Sequence, residues 1–474
     1  MIRPDAVGVE AVRIGAAVSA AEPPRAWGIA LLGVASGSIL IPLNSTMLAV
    51  ALPSIMRELG VGAGTVSWLV TLYLATVALA LPASGTLGDR FGHRRMFLLG
   101  VGAFALTSLV AALAWSFPVL VVARVLQAAT GASISANALS LVRRLSPADR
   151  RGGSFGLFDM LISTSAAVGP FVGGVLVAGF GWRSLFGVAI PLALVAILLV
   201  SAVVPRGARN VTTRPLDLTG LILLSTSVLV LVGAISGLRS QNGWRWWGAA
   251  AFPVFLGWFV RHELRTAEPA IDLRLFRRRP FASAVTAVLG ATVILHATLI
   301  LIPILTQTLM GASPTASGTA LLAISGLSAL IAPLGGRLSD RLGRRAPAVT
   351  GSLCMAAGLA ALWWWAGDAT IWQVGFLLGL IGVGFGLSGP SRQTAAVESV
   401  PDSSTGMAAG AYLTSRYVGG VLGASVAGVL LGTAATMNAV AAGFGGMALV
   451  ALAVAVVSWG LSGGRGRAGV EMTA

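Results

Sequence analysis

Apolar stretches of about twenty residues, the length of helix that crosses the ~30 Å hydrocarbon core of a bilayer, recur along the whole chain. Of its 474 residues, 56% are hydrophobic and 10% are charged. A soluble protein of this size needs more polar residues than that to cover its surface. The sequence therefore predicts an all-α polytopic membrane protein, with lipid as the solvent for most of its surface.

The arginines are distributed unevenly between alternate loops. The net charge of +16 could indicate a nucleic-acid-binding protein, but the arginines lie in short loops between apolar spans and not on a polar domain. One set of alternate loops holds most of them, and the other holds Arg57, Arg183, Arg239 and Arg245. By the positive-inside rule the first set faces the cytoplasm. We expect an even number of spans in a bacterial cytoplasmic membrane, with both termini cytoplasmic.

Breaks rich in charge, proline or glycine separate fourteen candidate spans. They lie near 27–51, 65–88, 96–116, 118–142, 154–178, 183–204, 217–237, 246–262, 282–309, 315–336, 346–366, 370–391, 405–432 and 438–461. The segment 246–262 is short and rich in tryptophan, which suits the membrane interface. The spans divide the chain into a cytoplasmic tail (1–26), a six-helix half (27–204), a linker with two extra transmembrane helices (205–280), a second six-helix half (281–461) and a cytoplasmic tail (462–474).

An internal repeat favours fourteen spans over twelve. At an offset of 251 residues, Gly85-Thr-Leu-Gly-Asp89-Arg90-Phe-Gly92-His-Arg94 is repeated as Gly336-Arg-Leu-Ser-Asp340-Arg341-Leu-Gly343-Arg-Arg345. Two six-helix halves joined directly would need an offset of roughly 200 residues. The surplus of about fifty residues is the length of one helical hairpin, and 217–262 supplies it.

The repeated loop resembles the most specific signature of the major facilitator superfamily. With the motifs described below, the chain resembles the fourteen-helix drug–proton antiporter family, which includes multidrug and tetracycline pumps. The resemblance implies the major facilitator fold, two six-helix halves plus a hairpin, and a cytoplasmic latch that holds the outward-facing state and breaks during transport. The latch residues are Gly85, Asp89, Arg90, Gly92 and Arg94, with Asp340, Arg341 and Gly343 in the second copy.

The residue types of this loop suit a latch. Gly85 and Gly88 would let helix backbones approach closely, and Gly92 would permit a tight turn. Asp89 can accept charge-assisted hydrogen bonds or face the N-terminus of a neighbouring helix. The alternative is a charge cluster that only sets the topology of the chain.

The fourth span carries Arg124, Gln127 and Gly131, similar to a second family motif, although Ala128 stands where a glycine is usual. A guanidinium in hydrocarbon costs on the order of 3 kcal/mol unless it faces protein or water. Arg124 should therefore point inward. It would tune a proton site or contact the substrate, with Gln127 in the substrate cavity, or it would be a structural arginine satisfied by backbone carbonyls.

The fifth span contains Gly169-Pro170-Phe-Val-Gly173-Gly174, which resembles a motif associated with exporters rather than importers. The proline removes a backbone donor and bends the helix, and the glycines allow tight packing where the halves meet. The resemblance therefore implies export, although membrane helices in general are rich in glycine and proline.

The first span departs from the family pattern. Asn44 stands where many fourteen-helix drug pumps have an aspartate. Asn cannot change charge, so it either hydrogen-bonds the substrate or bridges helices. If transport is proton-coupled, another buried group must titrate, and Asp159 in the fifth span and His296 in the ninth are the candidates. For Asp159 the alternative is a gate or a structural partner of Arg124. Arg416 is expected to face protein or water, as a further cavity residue.

These features favour a proton-coupled exporter of small amphipathic compounds over an importer or symporter of the same fold. We expect no enzyme, because the sequence has no metal-binding acid cluster, no paired nucleophile and base, and no phosphate-binding Gly-Lys-Ser/Thr loop. No cofactor and no metal are expected, and the proton gradient would supply the energy. The expected partners are a small-molecule substrate, protons and the lipid bilayer, and by analogy with the fold the protein would be a monomer.

Overall fold

The computed structural model describes residues 27–146, 151–205, 217–237, 244–266, 269, 271–365, 367–401, 405–432 and 435–462. The tail 1–26, the segment 206–216, Arg239 and the tail from 463 onward lie outside the described residues. So do the side chains of Asp159 and Arg245, although the helices that contain them are described.

Long helices make up almost all of the described chain. They are α1 Trp27–Leu59, α2 Trp68–Phe91, α3 His93–Ala112, α4 Phe117–Leu145, α5 Arg151–Phe180, α6 Ala189–Val203, α7 Leu218–Gly237, α8 Trp244–Arg265, α9 Arg279–Pro303, α10 Pro314–Leu342, α11 Arg345–Trp365, α12 Ile371–Glu398, α13 Thr405–Leu431 and α14 Met437–Ser458. Short helical turns lie at Ala63–Val66 and Ser184–Gly187, a 3-10 helix at Leu273–Arg277 and a π-helix at Ile304–Leu309. Each span expected from the sequence overlaps one of the long helices.

Twelve helices of the described chain are long and apolar enough to cross a membrane. Helices α7 and α8 are not among these twelve: the stretch of α7 whose side chains are all described is Ile222–Ile235, and α8 ends in Arg261, His262 and Arg265. The structure therefore confirms an all-helical protein with twelve candidate membrane helices. The structure does not confirm fourteen crossings.

The helices α1–α6 pack in the same pattern as α9–α14. In the first group α1 packs against α5 and α6, α2 against α4, and α3 against α4 and α6. In the second group α9 packs against α13 and α14, α10 against α12, and α11 against α12 and α14. The loop repeat of the sequence thus belongs to a repeat of the whole six-helix unit. Helix α7 packs on α8 and also contacts α2 and α13, one helix from each half.

The largest apolar core shared by the two halves lies at one end of the bundle, and a smaller shared cluster around Tyr73 includes Val421 of the second half. We call the end that carries the α2–α3, α4–α5 and α10–α11 loops the arginine-rich end, and the opposite one the arginine-poor end. The largest cluster of buried apolar side chains lies towards the arginine-poor end and takes residues from both halves, among them Met47, Ile300 and Leu321. Towards the arginine-rich end there are two clusters, one around Phe97 in the first half and one around Phe281 in the second. The halves are therefore joined at one end and separate towards the other.

Backbone contacts seal the arginine-poor end. The amide of Gly64 donates to the carbonyl of Gly432 across the two halves at 2.8 Å. The buried side chain of Gln307 donates from Nε2 to the carbonyl of Val50 at 2.9 Å. Gln307 lies in the π-helix that follows Pro303, and such a bulge redirects side chains that a regular helix would point elsewhere.

Glycines of the Gly-Pro motif bring α5 against helices on two sides. A methyl group added at Gly169 would overlap the hydroxyl of Thr46 on α1, and one at Gly173 would meet the Cα of Met47 at 3.0 Å. On the side of the other half, a methyl group at Gly174 would meet the carbonyl oxygen of Pro314 at 2.6 Å. The motif therefore lets α5 pack tightly on α1 and α10 at once.

Helix α10 has a matching glycine at this crossing. A methyl group at Gly318 would overlap the carbonyl oxygen of Pro170. Because Pro170 has no backbone N–H, it cannot donate a hydrogen bond within α5. The expectation that the motif glycines lie where the halves meet agrees with this geometry. Because backbone faces backbone here, no side-chain rotation could make room for a larger residue.

We predict that Gly318→Leu destabilises the folded protein by about 1–3 kcal/mol or more, because the new side chain overpacks the α5–α10 crossing. Gly326→Leu is the matched control on the same helix, since the nearest atom to a methyl group there is Leu322 Cδ1 at 3.8 Å. That change should stay within about 0.5 kcal/mol. Thermal unfolding of the detergent-solubilised chain measures both, and equal melting temperatures for the two variants would contradict this packing.

Candidate functional site

Three helices of the first half build a buried polar network around Arg124. The side chain of Arg124 on α4 is 1% exposed, and its Nη1 donates to Asn44 Oδ1 on α1 at 2.6 Å and to Gln127 Oε1 at 2.5 Å. Gln127 Nε2 in turn donates to Ser108 Oγ on α3 at 2.7 Å. The structure therefore brings Arg124 and Gln127 of the fourth span together with Asn44 of the first, three residues that the sequence singled out.

Two aromatic rings face the guanidinium. The Cζ atom of Arg124 lies 4.1 Å from the ring centroid of Tyr73 on α2 and 6.0 Å from that of Phe186 in the turn before α6. Both distances are within the range of cation–π attraction, which is stronger in a desolvated site. Sequence reasoning missed Tyr73 and Ser108. The rarity of tyrosine, three in the whole chain, is the one signal that could have drawn attention to Tyr73.

The partners of Arg124 are side-chain amides and rings and not backbone carbonyls. The structural alternative considered from the sequence named backbone carbonyls as partners, and the described hydrogen bonds of Arg124 go to side-chain oxygens instead. In the part of the chain that the structure describes, no carboxylate contacts Arg124. Its hydrogen bonds to neutral amide oxygens offset part of the cost of burial, and the full positive charge remains in the protein interior.

His296 occupies a different place, at the contact between the halves. Its Nδ1 lies 3.0 Å from the carbonyl oxygen of Thr292 one turn earlier on α9, so this nitrogen carries the hydrogen and Nε2 is the free acceptor. A methyl group at Gly420 on α13 would meet His296 Cε1 and Leu74 Cδ1 on α2, each at 3.0 Å. His296 therefore lies where α9, α13 and α2 converge.

Arg416 lies one turn before Gly420 on α13, and its side chain is exposed. The structure thus does not join Arg416 to the Arg124 network. A further arginine, Arg392 on α12, is 1% exposed and donates from Nη2 to Ser352 Oγ on α11 at 2.9 Å. Asp159 lies on α5, and its side chain falls outside the described residues.

The first latch loop centres on a histidine. Asp89 Oδ1 lies 3.2 Å from His93 Nε2, and His93 Nδ1 lies 2.9 Å from Asn137 Oδ1 on α4. Asn137 Nδ2 donates to the carbonyls of Ser84 and Ser133 at 3.3 and 2.8 Å. Asn137 Oδ1 can only accept a hydrogen bond, so His93 Nδ1 donates to it and Nε2 faces Asp89. Asn137 and His93 were not singled out from the sequence as partners of Asp89.

The arginines of this loop also pack within the first half. Arg94 Nη2 donates to the carbonyl of Ser201 at the end of α6 at 3.0 Å, and the Cζ of Arg90 lies 5.6 Å from the Phe91 ring centroid. Gly92 separates α2 from α3 with φ of 94°, a region that favours glycine. Gly343 does the same between α10 and α11 with φ of 83°.

The second latch loop is held by one arginine and two acids. Arg344 Nη1 donates to Asp340 Oδ1 at 2.7 Å, and its Nε and Nη2 donate to the two oxygens of Glu398 at 3.0 and 2.7 Å. The Glu398 carboxylate, and secondly Asp340, raise the pKa of the Arg344 guanidinium above its usual value. Arg344 corresponds to His93 in the repeat. The partner of Asp340 is thus Arg344, whereas Arg341 was the arginine singled out from the sequence.

Gly85 and Gly88 differ in their surroundings. A methyl group at Gly88 would overlap Asn137 Oδ1, whereas nothing lies within 4 Å of one at Gly85. The close approach expected at Gly85 is therefore absent in this conformation, because the halves are apart at the arginine-rich end.

We predict that Gly88→Ala lowers the stability of the folded protein by about 1–3 kcal/mol, because Asn137 and His93 must move. Gly85→Ala should not destabilise it, since the new methyl group meets open space and alanine is the better helix former. Thermal unfolding of the two variants side by side measures the difference. A larger loss for Gly85→Ala than for Gly88→Ala would contradict the arrangement around Asn137.

Comparison with known proteins defines the class. The profile of the Major Facilitator Superfamily matches residues 34–424. Two six-helix units packed alike and joined at one end, with this profile across them, define a membrane transporter. The chain belongs to the major facilitator superfamily.

Several curated relatives are similar over most of their length. The uncharacterized MFS-type transporter YvkA of Bacillus subtilis is 31% identical over 86% of this chain and 91% of its own. The tetracenomycin C resistance and export protein of Streptomyces glaucescens is 32% identical over 86% of this chain and 76% of its own. The multidrug efflux pump LfrA of Mycolicibacterium smegmatis is 31% identical over 86% and 81%. The resemblance to drug efflux transporters is thereby confirmed.

Solved structures share the fold. A peptide transporter POT superposes with a TM-score of 0.70 at 17% identity, covering 92% of this chain and 94% of its own. A D-xylose-proton symporter superposes with a TM-score of 0.64 at 16% identity, covering 91% and 97%. At such identities the likeness concerns the fold alone.

Proposed function

We propose that this protein is a proton-coupled secondary exporter of small amphipathic compounds, such as antibiotics or secondary metabolites. The observation that carries the proposal is the asymmetric contact between two halves of like packing. They share their largest apolar core at the arginine-poor end and a smaller cluster around Tyr73, and they hold separate cores at the arginine-rich end. Rocking of the halves about the region between them would expose a central site to one side of the membrane at a time.

Two further observations support export of such compounds. Relatives that are 31–32% identical over 86% of this chain are named for tetracenomycin C export and multidrug efflux. The Gly-Pro motif, which resembles that of exporters, lies at the α5–α10 crossing where the halves meet. The peptide and xylose transporters share only the fold, so they give no support for import.

The charge distribution supports an orientation. If the arginine-rich end faces the cytoplasm, as the positive-inside rule requires, the sealed end faces outward and the structure is inward-facing. Both termini would then be cytoplasmic, in the bacterial cytoplasmic membrane. The α7–α8 hairpin would cross the membrane as two further spans beside α2 and α13, which gives fourteen in all. The working unit would be a monomer.

The latch residues would act in the conformation in which the arginine-rich end is closed. In this structure Asp89 and Arg94 contact residues of the first half, and Asp340 contacts Arg344 of the second. Closing the arginine-rich end would bring the two loops and the helix ends of the opposite half together. Asp89 could then leave its contact with His93 and contact a helix N-terminus, where a carboxylate is favoured.

Proton coupling needs a group that titrates inside the transporter. Asp159, in the part of α5 nearer the arginine-rich end, and His296, at the contact of the halves, are the two candidates. Arg124 would tune this chemistry or hold substrate, because an arginine keeps its proton under ordinary conditions. Movement of the halves would change the solvation of either candidate, and that change is what couples a proton to a conformational step.

We predict that everted membrane vesicles containing the intact protein accumulate members of a panel of antibiotics and dyes, and that a protonophore abolishes the accumulation. Asp159→Asn should abolish the protonophore-sensitive part, because an amide cannot carry a proton. His296→Asn serves as the matched variant for the second candidate. Loss with His296→Asn and survival with Asp159→Asn would move the coupling group to α9.

A counterflow measurement distinguishes the loss of proton coupling from the loss of folding or of substrate binding. A variant that has lost only its proton group should still exchange labelled for unlabelled substrate across a proteoliposome membrane without a proton gradient. Loss of both activities indicates a damaged fold or binding site. Accumulation in right-side-out vesicles and none in everted ones would show import and contradict the proposal.

A further inference from the structure

The positive charge of Arg124 has no acidic partner among the described residues. The nearest neighbours are the amide oxygens of Asn44 and Gln127 and the rings of Tyr73 and Phe186, all of them neutral. An isolated ionised group in a protein interior is costly unless an opposite charge accompanies it. The site is therefore electrostatically incomplete within this half of the protein.

Asp159 does not lie at the level of this site. Gly169 on α5 packs against Thr46, two residues from Asn44 on α1. Asp159 precedes Gly169 by ten residues, which is about 15 Å of α-helix towards the arginine-rich end. An ion pair requires nitrogen and oxygen within about 4 Å, so the position of Asp159 along α5 does not make it the counter-ion of Arg124.

Three hydrogen-bond donors of the network have no partner in the described structure. They are Arg124 Nε, Asn44 Nδ2 and the hydroxyl of Tyr73, and all three side chains are at least nine-tenths buried. Arg124 Nε and Asn44 Nδ2 can only donate, and the Tyr73 hydroxyl can donate. Donors gathered around a cation are the complement of a carboxylate or phenolate oxygen.

Two other arginines that lie well inside long helices carry the same charge as Arg124. Arg392 on α12 is buried, and Arg416 lies exposed in the middle of α13. The acids whose side chains are described lie near helix ends or in the loops between helices, at Glu58, Asp89, Asp217, Glu263, Asp272, Asp340, Asp368 and Glu398. A pathway between the halves with fixed cations in its middle attracts anions and opposes cations.

We propose that the substrate is an aromatic or amphipathic anion, and that its carboxylate or phenolate becomes the counter-ion of Arg124. Arg124 Nε, Asn44 Nδ2 and the Tyr73 hydroxyl donate to that oxygen. The rings of Tyr73 and Phe186 flank the guanidinium. The site is closed in this conformation, so the substrate enters when the helices around it separate. This inference rests on the proposed transport function and specifies its substrate class.

Two dyes with the same ring skeleton test whether the site prefers a negatively or a positively charged compound. Fluorescein and rhodamine 123 share a xanthene ring system, and at neutral pH the first is an anion and the second a cation. Their affinities for the purified, detergent-solubilised full chain are measured by fluorescence anisotropy, next to a panel of aryl carboxylic acids and their methyl esters measured by competition. We expect the intact protein to bind fluorescein and the free acids about tenfold or more tightly than rhodamine 123 and the esters, the effect of one charge-assisted contact.

Asn44→Asp is the decisive variant, because it gives Arg124 a counter-ion of its own. It should remove the preference, measured as the ratio of the fluorescein and rhodamine 123 affinities, by about tenfold or more. Asn44→Gln keeps an amide without adding charge, so the ratio should persist even if both dyes bind more weakly. Thermal unfolding of each variant shows whether the chain is folded.

The inference is overturned if no anion of the panel binds more tightly than its neutral or cationic counterpart. It is also overturned if the preference survives in folded Asn44→Asp. Everted vesicles distinguish its failure from failure of the proposed function. Protonophore-sensitive transport of rhodamine 123 without transport of any acid would leave the exporter in place and reject the anion. If no compound is transported but the acids still bind selectively, the proposed export is rejected and the inference about the anion stands.

Discussion

The backbone contact between α5 and α10 is the constraint on which the rest of the structure depends. At that crossing Gly174 faces Pro314, and Gly318 faces Pro170, with no room for a side chain on either helix. Because the helices touch there, side chains from both halves merge into one apolar core around it, and the halves diverge towards the arginine-rich end. Small residues hold this contact through the close approach of the two backbones. Because no long side chains interlock across it, the contact gives little resistance to rocking of the halves.

The polar groups described above each lie within one of the two halves. The Arg124 network lies within the first half, packed on the helix that makes the crossing, so a movement of the halves changes what surrounds it without breaking its hydrogen bonds. The two latch loops lie at the open end and are satisfied within their own halves, by His93 and Asn137 in one and by Glu398 and Arg344 in the other. Each loop therefore keeps its own hydrogen bonds while the halves are apart.

Most of the fold could be read from the sequence because hydrocarbon leaves the backbone so few options. A span such as 96–116 must be helical to satisfy its own amides, and the repeat of Asp89 at Asp340 marks the second half without any knowledge of contacts. Of the candidate site, Arg124, Gln127 and Asn44 were found because a charged or amide side chain in an apolar run needs a reason. Tyr73, Ser108, Asn137 and the role of His93 were missed. The rarity of tyrosine and the amide of Asn137 in an apolar run were available signals, whereas a serine in a span carries none and the partner of an acid is decided in space.

The sequence by itself determined the solvent of the protein, its helical class, its repeat and its family, because these follow from hydrophobic length and from motifs contiguous in the chain. It also determined that Asn44 cannot supply a charge. Only the tertiary structure decided that Asn44 and Arg124, eighty residues apart, share a hydrogen bond, that no described acid joins them, and that the halves are closed at one end. Those facts depend on how helices pack against one another, and small residues at the crossings permit more than one arrangement of the same spans.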